Sequence, residues 1–183
     1  METLTKTVNG FNQEDIAAVV SALQANPEMG NFELQVTNDW INGGHNRSYI
    51  QEFYVAGQKD TSRTEPFIYD NDEPPILLGA NKGANPAEAM LHGLLGCMTT
   101  AMVLLAAARG IQIGKVTSRV EGDIDVKGFL GLDPDGVKGF KQIRVMFDVQ
   151  GVDEAQKEEL LTLAKQSPLY NSLINPMDVQ VTI

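Results

Sequence analysis

Cysteine is almost absent from this 183-residue chain: Cys97 is the only one. A single thiol excludes an intramolecular disulfide and any metal site built on several thiolates. Histidine is nearly as scarce, with only His45 and His92, so no metal and no cofactor is expected. Basic residues are also in short supply. Lys and Arg number 14 against 24 Asp and Glu, a net charge of −10. That balance excludes nucleic acid and anionic membrane surfaces as partners, because phosphate binding needs clustered cations. No Gly-rich phosphate loop and no G-x-S-x-G elbow occurs, which removes the nucleotide-dependent and serine-hydrolase classes. The opening METLTKTVNG lacks the basic-then-apolar pattern of a signal peptide, so a cytoplasmic, reducing location is expected.

What is present is an ordinary globular composition, 43% hydrophobic and 21% charged, with one unusual run. From Ala89 to Ala108 there is no formally charged residue, and the span is long enough to cross a bilayer. It is rich in Ala, Gly and Thr and has neither a second span nor a basic flank beside it. The pattern therefore predicts a soluble helix, apolar all round and buried in a core or an oligomer interface. Asn85 is the predicted N-cap, Pro86 fits the first helical position, and Glu88 sits in the first turn, where the helix dipole favours an anion. Arg109-Gly110 is the predicted stop.

The flanking segments set the fold class. Ile16, Val19, Val20 and Leu23 fall on one face of an N-terminal helix that Asn12 can cap and Asn26-Pro27 ends. Two strand-like runs, FELQVTNDW and RSYIQEFYV, are joined by INGGHN, and PFIY reads as a further short strand. After the apolar helix, Val116, Val120, Ile124 and Val126 alternate with polar residues, as do Ile143, Val145, Phe147 and Val149, predicting two half-buried antiparallel strands. The loop between them carries Asp133 and Asp135, but without the spacing or closing Glu of a calcium loop. DEAQKEELLTLAKQ predicts an amphipathic helix capped by Asp153, and MDVQVTI a last strand. Antiparallel strands with few helices make the expected class α+β. The expected organisation is an N-terminal helical extension over residues 1–30 and one domain over 31–183.

The run NPAEAMLHGLLGCMTTAM resembles the central helix of the OsmC/Ohr family, the osmotically inducible and organic-hydroperoxide-resistance proteins. The later AKQSPLYNSL resembles that family's second signature, in which Cys-Pro is followed by a small or aromatic residue and Asn. The resemblance covers about residues 31–183. It implies antiparallel sheets packed around a long buried central helix, in an intertwined homodimer with active sites at the subunit interface. It also implies a thiol-dependent peroxidase of the oxidative-stress response. There the first cysteine attacks the hydroperoxide O–O bond and a second closes a disulfide that a dithiol reopens.

Carried onto this sequence, the resemblance puts Cys97 at the attacking position. It calls for an Arg to stabilise the thiolate, with Arg47 as candidate and Arg63 behind it, and for a Glu at the helix start to hold that Arg. The Glu position is Ala87 here, and the carboxylate stands one residue on, at Glu88, equally suited to a first-turn dipole partner. The second-cysteine position is Ser167, whose hydroxyl cannot form a disulfide, so turnover needs an external thiol reductant. His92, five residues before Cys97, is expected to pack in the core or an interface, and His45 to be solvent-exposed in its turn. The alternative is a non-enzymatic member that binds an apolar small ligand at the dimer interface, with Cys97 as a packed hydrophobe.

Overall fold

The structure is a computed structural model and describes residues 7–183; the first six residues of the expected extension lie outside it. Along the chain run β1 (Thr7–Val8), β2 (Phe11–Asn12), α1 (Gln13–Ala25), β3 (Phe32–Leu34), β4 (Thr37–Asn42), β5 (His45–Ile50), β6 (Phe53–Val55), β7 (Gln58–Lys59) and β8 (Phe67–Asn71). They are followed by α2 (Pro86–Ala108), β9 (Lys115–Ile124), α3 (Val126–Phe129), β10 (Phe140–Gln150), α4 (Glu154–Ala164) and α5 (Pro168–Ile174). All strand pairings are antiparallel, and the class is α+β, as the element order predicts. Two compact units divide the chain. One joins the N-terminal hairpin, to Gln13, with Leu91–Ile183; the other is Glu14–Met90.

In the first unit, α2 lays one stripe, Leu94, Met98, Met102 and Ala106, into a core shared with Ile111 and with Leu160, Leu163 and Ala164 of α4. The spacing of four residues keeps these side chains on one helical face. Val116, Ile143, Val145, Phe147 and Val149 pack against that stripe from the β9–β10 pair. The start of α4 and the end of α2 follow their predicted signals. Asp153 and Gln156 form a reciprocal capping box. At Gly110, φ is +73°, and the amide of Ile111 reaches back to the Ala106 carbonyl at 2.9 Å while that of Gly110 reaches Ala107, a paired C-terminal closure that the left-handed glycine permits.

Within one chain the buried residues of α2 are Leu94, Met98, Met102, Ala106 and Ala107. Two expectations need correction. Val126 belongs to α3, begun by the Asp125 carboxylate accepting from the Lys127 amide at 3.0 Å, because a local cap outcompetes continued alternation. MDVQVTI forms no strand, and Val179 and Val181 are exposed. A two-residue period needs a neighbouring strand to bond, and the described residues supply none there. The N-terminal helix α1 keeps its predicted bounds, Asn12 before it and Asn26-Pro27 after it, and Thr7–Asn12 ahead of it forms a hairpin.

That hairpin turns on Asn9-Gly10, both at positive φ, 52° and 84°, the geometry of a tight two-residue turn. The Asn9 amide donates to the Ile111 carbonyl at 2.9 Å, and its oxygen accepts from the Ile113 amide at 2.8 Å and the Gln112 side chain at 3.1 Å. Val8 beside it is buried. One side chain thus fastens the hairpin to the segment that follows α2. Asn9→Ala removes these bonds, and the longer one from its amide to the Val103 carbonyl at 3.5 Å, and puts a Cβ-bearing residue without local hydrogen bonding at positive φ, so it should cost roughly 2 kcal/mol. Urea unfolding would measure it, and an unchanged midpoint would contradict this account.

In the second unit the long hairpin predicted from the sequence forms, but each arm breaks once. The halves sort into two sheets, β3-β6-β7 and β4-β5-β8, with the Gln35 amide bridging to the Glu52 carbonyl at 3.3 Å across the break. Of the predicted face of α1, Ile16 and Leu23 are half-buried while Val19 and Val20 are exposed. Only Asp72 of this unit is buried. Leu34 and Trp40 are each 73% exposed, and Phe32 and Phe67 are exposed as well, so these sheets cover little apolar surface of their own.

Candidate active site

Cys97 lies near the middle of α2, half-buried. Helical geometry puts Gly93 on the same face, one turn earlier. A Cβ at Gly93 would stand 3.7 Å from Leu169 Cδ1 of α5, whereas one at Gly96 would meet nothing within 4 Å. The helix surface around the thiol is therefore covered by α5 on one side and open on another. Among the described residues no hydrogen bond or ion pair engages Sγ, and no group of three His, Cys, Asp or Glu side chains is arranged to hold a metal. His92 is exposed within this chain, so it is not part of this chain's core.

At the start of α2, Asn85 Oδ1 accepts from the Ala87 amide at 2.8 Å, and Glu88 Oε2 accepts from the Asn85 amide at 2.9 Å. Asn85 Nδ2 also donates to Glu73. Glu88 is thus engaged as the return half of a capping arrangement. Along α2 it precedes Cys97 by nine residues, about 13 Å of rise and half a revolution around the axis. The loop that delivers the chain to this helix is tied by Asp72. Its carboxylate accepts from the amides of Glu73, Ala80 and Lys82 at 2.8, 3.0 and 3.1 Å. These bonds, led by that from Lys82, hold its pKa below the usual carboxylate range against the opposing effect of burial.

Arg47 is on β5, the middle strand of its sheet, in register with Asp70 on β8. Its Nε donates to Asp70 Oδ1 at 2.9 Å and its Nη2 to Oδ2 at 3.1 Å, a forked pair. His45 Nε2 lies 2.8 Å from the same Oδ1. His45 is therefore not a free turn residue, as the sequence suggested, but half-buried against a carboxylate. The bonds from Arg47 first and His45 second keep the Asp70 carboxyl below its ordinary range, and Asp70 in return raises the Arg47 guanidinium. Arg63, the second candidate, stacks over the rings of Phe53 and Phe67 at 4.8 and 5.6 Å, a contact that occupies its face.

Ser167 is fully buried. Its hydroxyl accepts from the Tyr170 amide at 3.2 Å and caps α5, a short helix the sequence did not signal beyond its Ser-Pro start. The Asp70–His45–Arg47 cluster was also missed. It joins residues separated by up to 25 positions, and only the pairing of β5 with β8 brings them together.

A family model described as OsmC-like protein matches residues 79–182, more than half of the chain. A Mycoplasma genitalium protein named hydroperoxide reductase is 27% identical over 106 residues, which span 56% of this chain and 71% of that one. Among solved structures, an OsmC like protein from Mycoplasma pneumoniae aligns with 78% of this chain and 87% of its own, at a TM-score of 0.59 and 21% identity. An organic hydroperoxide resistance protein OsmC from Legionella pneumophila aligns with 77% and 88%, at 0.54 and 18%. The α+β architecture of antiparallel sheets and helices is common to them, and the matched residues include both Cys97 and Ser167. The chain belongs to the OsmC-like protein family.

Proposed function

We propose that this protein is a cytoplasmic, thiol-dependent organic hydroperoxide reductase of the oxidative-stress response, working as a homodimer with Cys97 as its one redox thiol. The observation that carries the reading is the placement of the chain's only cysteine on α2 within the family-matched region, half-buried with open space beside it. In the reaction the Cys97 thiolate attacks the terminal peroxide oxygen. An S–O bond forms as the O–O bond breaks, and the departing alkoxide takes a proton and leaves as the alcohol. An external thiol then reduces the sulfenic acid, giving a mixed disulfide and water. A second equivalent of that thiol frees Cys97 and departs as its own disulfide.

A thiol in an apolar setting needs a cation to favour the thiolate, since burial alone opposes it. The reading assigns that part to Arg47, brought to the thiol in the assembled dimer, and leaves Glu88 to seat the helix start. The dimer itself is supported by apolar surface that one chain leaves bare. Glu14–Met90 buries no hydrophobic residue, and the strand-patterned tail leaves Val179 and Val181 uncovered. Exposed apolar faces of that extent mark association surfaces.

The test is turnover. Supplied with an organic hydroperoxide and a small thiol in excess, the purified protein should consume peroxide catalytically, with alcohol as product. Retention of a bound apolar ligand by native mass spectrometry, with no peroxide consumed and no change on Cys97→Ala, would instead support the non-enzymatic binder.

A further inference from the structure

We propose that Asp70 is a positioning residue for the peroxide chemistry, holding the Arg47 guanidinium by its forked contact in the place of the carboxylate that Ala87 cannot supply. The inference rests on the assignment of Arg47 made above and identifies what fixes it.

Asp70 and Arg47 face each other across the β5–β8 pair. Both carboxylate oxygens are used, Oδ1 by Nε and Oδ2 by Nη2. A point charge would tolerate many orientations, whereas two parallel bonds fix the plane of the guanidinium. They occupy Nε and Nη2, with Tyr49 adding a smaller contribution to the guanidinium, on a side chain 39% exposed. The grip thus orients the guanidinium plane, as a donor to a thiolate or a peroxide oxygen requires.

Asp70 is itself held on two sides. His45 Nε2 at 2.8 Å engages Oδ1 beside the Arg47 Nε, which restricts the carboxylate's rotation. Its backbone is covered by the loop before α2, where a Cβ at Gly83 would fall 1.9 Å from the Asp70 carbonyl oxygen. No side chain larger than hydrogen fits there without moving the backbone, so the end of β8 is pinned by that loop. The surroundings keep the carboxyl ionised well below neutral pH, through Arg47 first and His45 second. An isolated surface pair would be worth little as a stabilising contact. A pair locked by a third side chain and a tight loop is better suited to aiming a cation.

The experiment measures the rate of Cys97 oxidation by organic hydroperoxide, and the thiolate absorbance titration, in the purified protein. Asp70→Asn should slow oxidation about tenfold, the usual scale for removing a residue that orients another, and should move the thiolate titration upward. Asp70→Glu should recover part of the rate. Arg47→Gln should be slower than Asp70→Asn, and adding Asp70→Asn to it should cause no further loss. Arg47→Lys keeps the charge but not the fork and should fall about as far as Asp70→Asn. That gives a readout independent of how well the Asp70 variants fold, with thermal midpoints as control. If Arg47→Gln is slow while Asp70→Asn and Arg47→Lys match the wild type, the role of Asp70 is overturned and the assignment of Arg47 stands. If Arg47→Gln also matches the wild type, both fall, and the chemistry of Cys97 is judged separately by its own oxidation.

Discussion

Cys97→Ser abolishes peroxide consumption and leaves the protein folded: this is the largest effect expected of any single substitution. A cysteine thiol ionises near pH 8.5 and a neighbouring cation brings it lower, while a serine hydroxyl stays protonated throughout the neutral range. No second cysteine exists to take over. The structural consequence is small, because Cys97 is half-buried and its Sγ makes no hydrogen bond among the described residues. A change of one atom at such a site should cost no more than about 1 kcal/mol. Hydroperoxide disappearance and a urea melt on the same sample separate the two effects. Residual turnover in the variant would place the chemistry elsewhere.

Ser167→Cys should change how the oxidised protein resolves. The resemblance to the OsmC/Ohr family places the second cysteine's position at Ser167, and the chain uses that residue to cap α5. The start of that helix lies against α2, since Leu169 approaches Gly93, one turn before Cys97 on the same face. A thiol introduced at 167 is therefore expected to attack the sulfenic acid at 97 and close a disulfide, provided small shifts bring the two Cα atoms within the 4.4–6.8 Å or so that the bond requires. After one equivalent of hydroperoxide the variant should be two hydrogens lighter, whereas the wild type should be one oxygen heavier. Its turnover should then be served best by dithiols. Sulfur is a poor substitute for the capping oxygen, and the variant should lose about 1 kcal/mol of stability. A variant that stays one oxygen heavier, with its new thiol free, would show that the two positions do not communicate.

The parts of this molecule legible in the sequence are those decided by neighbouring residues. Asn85-Pro86 and Arg109-Gly110 mark the ends of α2 because caps and stops act within a turn. Asp153 with Gln156 marks α4 in the same way, and alternation marks most of β9 and β10. Asn9-Gly10 carries an equally local hairpin signal that the helical pattern after it obscured. What depends on a distant partner is not legible. MDVQVTI has the period of a strand but pairs with none among the described residues. The breaks at Gln35-Val36 and Gln51-Glu52 interrupt runs whose composition is strand-like throughout. His45 reads as an exposed turn residue until β8 brings Asp70 beside it. Likewise, the loss of the second cysteine is plain at Ser167, but its new work as a cap depends on a short helix that only the folded chain defines.

The most direct test of the account is the intact mass of the reduced protein after one equivalent of an organic hydroperoxide. The account predicts that within minutes Cys97 gains one oxygen, is trapped by a sulfenic-acid reagent, and is restored by a small thiol. Recovery of Cys97 as an unreacted free thiol over that time would contradict it.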